Sequence, residues 1–229
     1  MKYLAYTVLI FCFGAISCNN KEQEEESIEY VHIPPELPEH VYENIKHGDI
    51  IIRKGNGPLS FHLMAHTKED YSHCGIIVKE DDEWKVIHTI GGTASEYGSD
   101  GVQLIDLSEF VSHAADSMLF ISRPNFSDMD GDTLRNKIAD RAYHYLAQEI
   151  PFDHGFSMFS TEKYYCTELL YYIFKDVYDG NVFVVEKKHK SYMLMFSTFF
   201  KKENFKPLFH LRGEEYMHSS VVVGETDGL

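Results

Sequence analysis

The sequence predicts an α+β domain in which an antiparallel sheet packs against helices. Three observations predict it. Short apolar runs bounded by turn residues fill the stretch from 49 to 124, and the acidic turn at 80–83 joins two of them as a hairpin. From Asp132 onward the apolar residues recur at helical spacing instead. Neither an internal repeat nor a transmembrane span interrupts this plan, so one core formed between sheet and helices is the simplest packing.

In chain order, Pro34, Pro35 and Pro38 punctuate the start of the domain. PEHVYENIKHGD then reads as a short helix ended by Gly48. DIIIRKG is the first β-rich run, residues 55–70 are a loop, and HCGIIVK and EWKVIHTI form the hairpin. A Gly-rich loop, GGTASEYGSDG, leads to VQLIDL and a fourth strand, MLFISRP. Leu134, Ile138, Ala142 and Tyr145 mark a helix with Asp132 as its expected N-cap. A second helix is expected from about Cys166 to Tyr178, with Leu169, Leu170, Ile173 and Phe174 as its apolar set. Residues 187–229 contain aromatic runs and a last strand at SVVVG, without a clear place in the fold.

The 229 residues carry 36 Asp and Glu against 21 Lys and Arg, a formal charge of −15. A surface of that sign repels phosphate backbones, which excludes nucleic acid as an expected partner. Cys12, Cys18, Cys74 and Cys166 are too few and too scattered for a disulfide framework, and no Cys-x-x-Cys pair suggests zinc.

Residues 1–17 have a basic start, an apolar run and small residues before Cys18, the pattern of an export signal too short to span a bilayer. Ala15-Ile16-Ser17-Cys18 resembles a bacterial lipobox, which implies cleavage before Cys18 and its lipidation. Residues 18–38, with NNKEQEEESIE within them, are then a polar acidic tether, and 39–229 the folded domain. The expected location is the cell envelope of a bacterium, with a lipid anchor to a membrane. Oligomeric state is not readable.

Two features point to chemistry. His73 and His88 differ by 15, so a two-residue turn pairs them directly and a four-residue turn sets them diagonally, on one sheet face in either case. Cys166 stands where an extended loop gives way to a helix, where free N–H groups and the helix dipole favour a thiolate. With His73 in reach as general base, His88 orienting its ring and the Cys166 N–H as oxyanion donor, that sulfur is a nucleophile. Taken alone, a cysteine among apolar residues is more often core filler, and a strand histidine more often structural.

The surrounding words shift that balance. HGDIIIRKG, SHCGIIV and VIHT resemble segments of the NlpC-like cell-wall endopeptidases, a papain-related superfamily, and YYCTELLYYIF resembles their nucleophile helix. Because the cysteine follows the strands here, the order is that of the circularly permuted branch, and SHCGIIV, PFD and YYCTELL resemble its YiiX-like members over about residues 45–178. The resemblance implies a circularly permuted papain-like fold with Cys166 as nucleophile, His73 as base and His88 as third residue. Cys74 stands where valine is usual, and alternation turns it away from His73, so it reads as a small core residue. Asp49 is expected to fix a turn, and Glu168 to favour the helix start. Asp153 and Tyr165 are candidate substrate contacts, with a structural role equally open.

Together with export, the resemblance implies a cysteine peptidase or amidase acting through an acyl-thioenzyme on peptide or amide substrates, most plainly the stem peptides of peptidoglycan. No metal or organic cofactor is required. Two other readings stay open: an acyltransferase or thioesterase acting on lipids, and a non-catalytic lipoprotein that binds wall fragments.

Overall fold

The computed structural model describes residues 35–92, 100–158, 162–188 and 191–213. The readings of a signal, a lipidation site at Cys18 and most of the tether, together with SVVVG and part of the Gly-rich loop, lie outside the described residues.

Six strands form one antiparallel sheet: β1 (Ile50–Arg53), β2 (His73–Glu80), β3 (Glu83–Ile90), β4 (Gly101–Asp106), β5 (Leu119–Pro124) and, further along the chain, β8 (Phe205–Leu211), in the spatial order β4-β3-β2-β1-β5-β8. VQLIDL is therefore a strand, β4. α1 (Glu39–Asn44) precedes them, α2 (Pro58–Thr67) and α3 (Leu107–Ser112) lie between them, and after β5 come α4 (Gly131–Leu146) and α5 (Cys166–Val177). A separate two-stranded ribbon joins β6 (Val185–Lys188) to β7 (Ser191–Leu194).

The middle of the central strands is a run of buried apolar residues because both faces are covered. Ile50, Ile52, Cys74, Ile76 and Ile87 face α4 and α5, which contribute Leu134, Ile138, Leu169, Leu170 and Ile173. Ile51, Ile77 and Val86 face the other way, against Val41 of α1 and Leu107, Phe110 and Val111 of α3. Each fully buried residue of this size contributes about 1.5–3 kcal/mol.

Asp81 and Asp82 both have positive φ, 48° and 67°, as a two-residue hairpin turn of the type that matches strand twist requires. Glu80 consequently pairs Glu83, and His88 pairs Gly75 rather than His73. The direct pairing expected of a two-residue turn thus gives way to a diagonal one, because the turn centres one residue later in the chain. Parity still keeps both imidazoles on one face.

Residues 55–70, read as a loop, contain α2, which starts at Pro58 in the first helical turn. The N-cap of α4 is Asp130, not Asp132: its carboxylate accepts from the N–H groups of Asp132 and Thr133. Asp49 is wholly buried and accepts from Arg123 Nε and Nη2 at 2.9 and 2.8 Å and from the Lys46 N–H at 2.7 Å, so it fixes the approach to β1. Beside it Gly48 has φ 87°, and a Cβ there would lie 2.3 Å from the Arg135 carbonyl oxygen. Among the described residues no helix is long and apolar enough to cross a membrane.

Candidate active site

A cleft of about 470 Å³ lies at the end of β1, the start of β2 and the end of β3. Cys166, His73, His88, Arg53 and Ser72 line it, with α2 along one side. Its size lies within the range of small-molecule sites.

Cys166 is the first residue of α5, after Tyr165 in an extended conformation. It is 4% exposed, and its neutral thiol donates to the Ser72 carbonyl at 3.9 Å. Its pKa is lowered. A hydrogen bond from the Cys74 thiol is the largest cause, burial works against it, and the backbone N–H groups of Cys74, Thr167 and Cys166 add to the lowering. The expected helix-start stabilisation is thus present, and a second thiol adds to it.

His73 Nε2 and His88 Nδ1 are 2.8 Å apart, and their rings meet edge to face over Phe110. Burial and the Arg53 guanidinium push both imidazoles down, His73 well below the usual range and His88 to about 3. Arg53 pairs His73 across β1 and β2, and its guanidinium lies 4.3 Å from the Phe110 ring centre. Burial lowers Arg53 itself to about 10, while Cys166 and Glu109 act to keep it charged. A buried cation beside two histidines keeps both neutral and favours a nearby thiolate.

Of the expected site residues, the structure joins His73 to His88 directly and sets Cys166 in the same cleft. No hydrogen bond links Cys166 to His73 among the described residues; the thiol's partners are Ser72 and Cys74. Tyr165 and Asp153 are buried, and neither lines the cleft. Asp153 accepts from the Gly155 and Ser157 N–H groups, which folds its loop, and Tyr165 packs on Phe156. Arg53, Ser72 and the α2 wall went unnoticed in the sequence. The signal for Arg53 was a charge closing an isoleucine strand.

Gly75 makes room for His88. A Cβ there would stand 2.5 Å from Val86 Cγ1, 2.9 Å from the Ile87 carbonyl oxygen and 3.1 Å from His88 Cβ. Gly75→Ala is expected to cost about 1–3 kcal/mol of stability and to displace the imidazole pair. A thermal melt reads the first effect, and the His88 ring resonances in an NMR spectrum read the second.

A peptidase-family sequence model, described as permuted papain-like amidases of the YaeF/YiiX type, matches residues 44–195. That span includes His73, His88 and Cys166. The crystal structure of the metalloprotein YiiX from Escherichia coli O157:H7 superposes with a TM-score of 0.60 at 18% identity, covering 73% of this chain and 98% of that one. At that identity the likeness is one of fold. Comparison with curated proteins gives no match. The word metalloprotein is that protein's; among the described residues here, no group of three or more His, Cys, Asp or Glu is placed to hold a metal ion.

Proposed function

The chain belongs to the permuted papain-like amidase family, and from that membership and the cleft we propose that it is an exported cysteine amidase or peptidase acting through an acyl-thioenzyme. The observation that carries the reading is a thiol of lowered pKa at a helix start, in one cleft with a hydrogen-bonded pair of neutral imidazoles.

Roles follow from the tautomers. If His73 Nε2–H donates to His88 Nδ1, the His73 Nδ1 lone pair is left to take the Cys166 proton as sulfur attacks the carbonyl. His73 is then an imidazolium whose Nε2–H still needs an acceptor, and a His88 that stays neutral supplies it. The backbone N–H of Cys166 meets the developing oxyanion. His73 next protonates the departing amine, and water releases the acid from the thioester.

The substrate we propose is the peptide stem of peptidoglycan, reached from an anchor at lipidated Cys18 in the bacterial envelope; the N-terminal residue pattern supports both. Leu59 and Phe61 on α2 are 41% and 55% exposed, and Leu59 lines the cleft. They favour a second reading, an acyl-lipid substrate for the same nucleophile.

Incubation with peptidoglycan fragments and, separately, with acyl-lipids, followed by mass spectrometry, tests both. Release of a free amine and acid from the wall fragments is the expected result. Products from the lipids alone overturn the wall assignment, and no acylated Cys166 with either substrate overturns both readings. Iodoacetamide is a further probe: carbamidomethylation of Cys166 is expected to slow less between pH 8 and pH 6 than the roughly 10²-fold of a thiol of pKa about 8.5.

A further inference from the structure

We propose that Cys166 and Cys74 together form a site of reversible oxidation, at which a hydroperoxide converts the two thiols to an intramolecular disulfide. Cys74 pairs Ile52 on the sheet face covered by α5, and Cys166 is the first residue of that helix. Cys166 Sγ lies 3.9 Å from the carbonyl oxygen of Ser72, two residues before Cys74 in the chain, and both thiols are buried in one apolar cluster, where each perturbs the other as a hydrogen-bond partner. A disulfide needs that approach with little backbone movement.

Their surroundings divide the labour. Cys166 lines the cleft, so a small oxidant reaches it. Cys74 has no exposed surface and meets no oxidant itself. The alternation that turns Cys74 away from His73 is what turns it toward Cys166, so a residue that reads as core filler becomes a resolving thiol. A valine there would pack as well and could not react.

The chemistry balances in two steps. The Cys166 thiolate attacks the peroxide, forming an S–O bond as the O–O bond breaks, and the departing alkoxide or hydroxide takes a proton to leave as alcohol or water. Cys166 is then a sulfenic acid. The Cys74 sulfur attacks that sulfur, the S–S bond forms, and hydroxide leaves with the Cys74 proton as water. One peroxide is reduced by two electrons and two thiols are oxidised. The disulfide does not depend on the hydrolase reading; loss of turnover on oxidation does, since it requires Cys166 to be the nucleophile.

The test treats the full chain with hydrogen peroxide, blocks remaining thiols with N-ethylmaleimide, and maps tryptic peptides by mass spectrometry. In the wild type a linked peptide containing Cys74 and Cys166 is expected, and dithiothreitol should abolish it. In Cys74→Val and Cys74→Ser, Cys166 should accumulate as sulfinic or sulfonic acid, at least about tenfold above wild type, and dithiothreitol should not reverse it. The wild-type linkage needs no variant to fold. The proposal is overturned if no such linkage forms, whether Cys166 over-oxidises equally in all three proteins or stays unreacted. Should the linkage form while Cys166→Ala remains catalytically active, the oxidation site stands and the hydrolase reading falls.

Discussion

Replacing Cys166 by alanine is expected to lower amide turnover by at least about 10³-fold, some 4 kcal/mol of barrier. The variant removes one sulfur atom from the first turn of α5 and leaves the Leu169, Leu170, Ile173 and Phe174 face that seats the helix. Folding should survive, and a melt within a few degrees of wild type confirms it. Cys166→Ser is the informative companion. Its hydroxyl fits the space, but the donors that favour a thiolate cannot ionise an alcohol near neutral pH, so it should be almost as inactive. Substrate retained by both variants on a binding assay would place the loss in the chemical step. A Cys166→Ala protein that turns over at the wild-type rate excludes the nucleophile assignment and requires another group to carry the reaction.

Most of what builds this site could be read from local sequence, and what could not depends on contacts between distant segments. The strands announced themselves because Ile50–Arg53 and the His73–Glu80 and Glu83–Ile90 hairpin are β-rich and bounded by turns. Parity alone placed His73 and His88 on one face, and the turn lies at 80–83 as expected, but turn length did not decide between direct and diagonal pairing: a two-residue turn gives the diagonal one. The α2 helix stayed hidden because its exposed side carries Leu59 and Phe61 while Leu63 faces inward, so no single apolar stripe marks it. The last strand among the described residues, β8, was hidden by Pro207, which reads as a strand breaker. It is tolerated because β8 is an edge strand and the register shifts beside it, between Ile121 and Ser122. Cys74 shows the limit most sharply. Alternation told which way it turns, but only the packing of α5 on β2 told what it meets there.

The imidazole pair also sets how the protein responds to acid. A histidine in the unfolded chain takes up a proton below about pH 6.5. Native His88 resists to about 3, and native His73 is held well below its usual value, in both cases chiefly by burial. Protonated His88 would place a charge where its Nε2 has no hydrogen-bond partner among the described protein groups, beside the Arg53 cation. The unfolded state therefore binds more protons than the native one throughout this window, and stability falls as pH drops from 6.5 toward 3. A histidine so shifted contributes a slope of about 1.4 kcal/mol per pH unit, so His88 should cost about 2 kcal/mol between pH 7 and pH 5, and His73 acts in the same direction. That is a large share of the roughly 5–15 kcal/mol typical of a domain. Asp49, whose pKa burial raises, acts in the opposite direction at lower pH but does so equally in wild type and variant. Urea melts of wild type and His88→Gln at both pH values read the effect of His88 together with its influence on His73, because titrating groups that do not face His88 cancel in the difference. The variant should lose about 2 kcal/mol less than wild type over the interval. Equal losses in the two proteins would mean that His88 is protonated in the native cleft, and it could not then serve as the neutral acceptor that the His73 imidazolium requires.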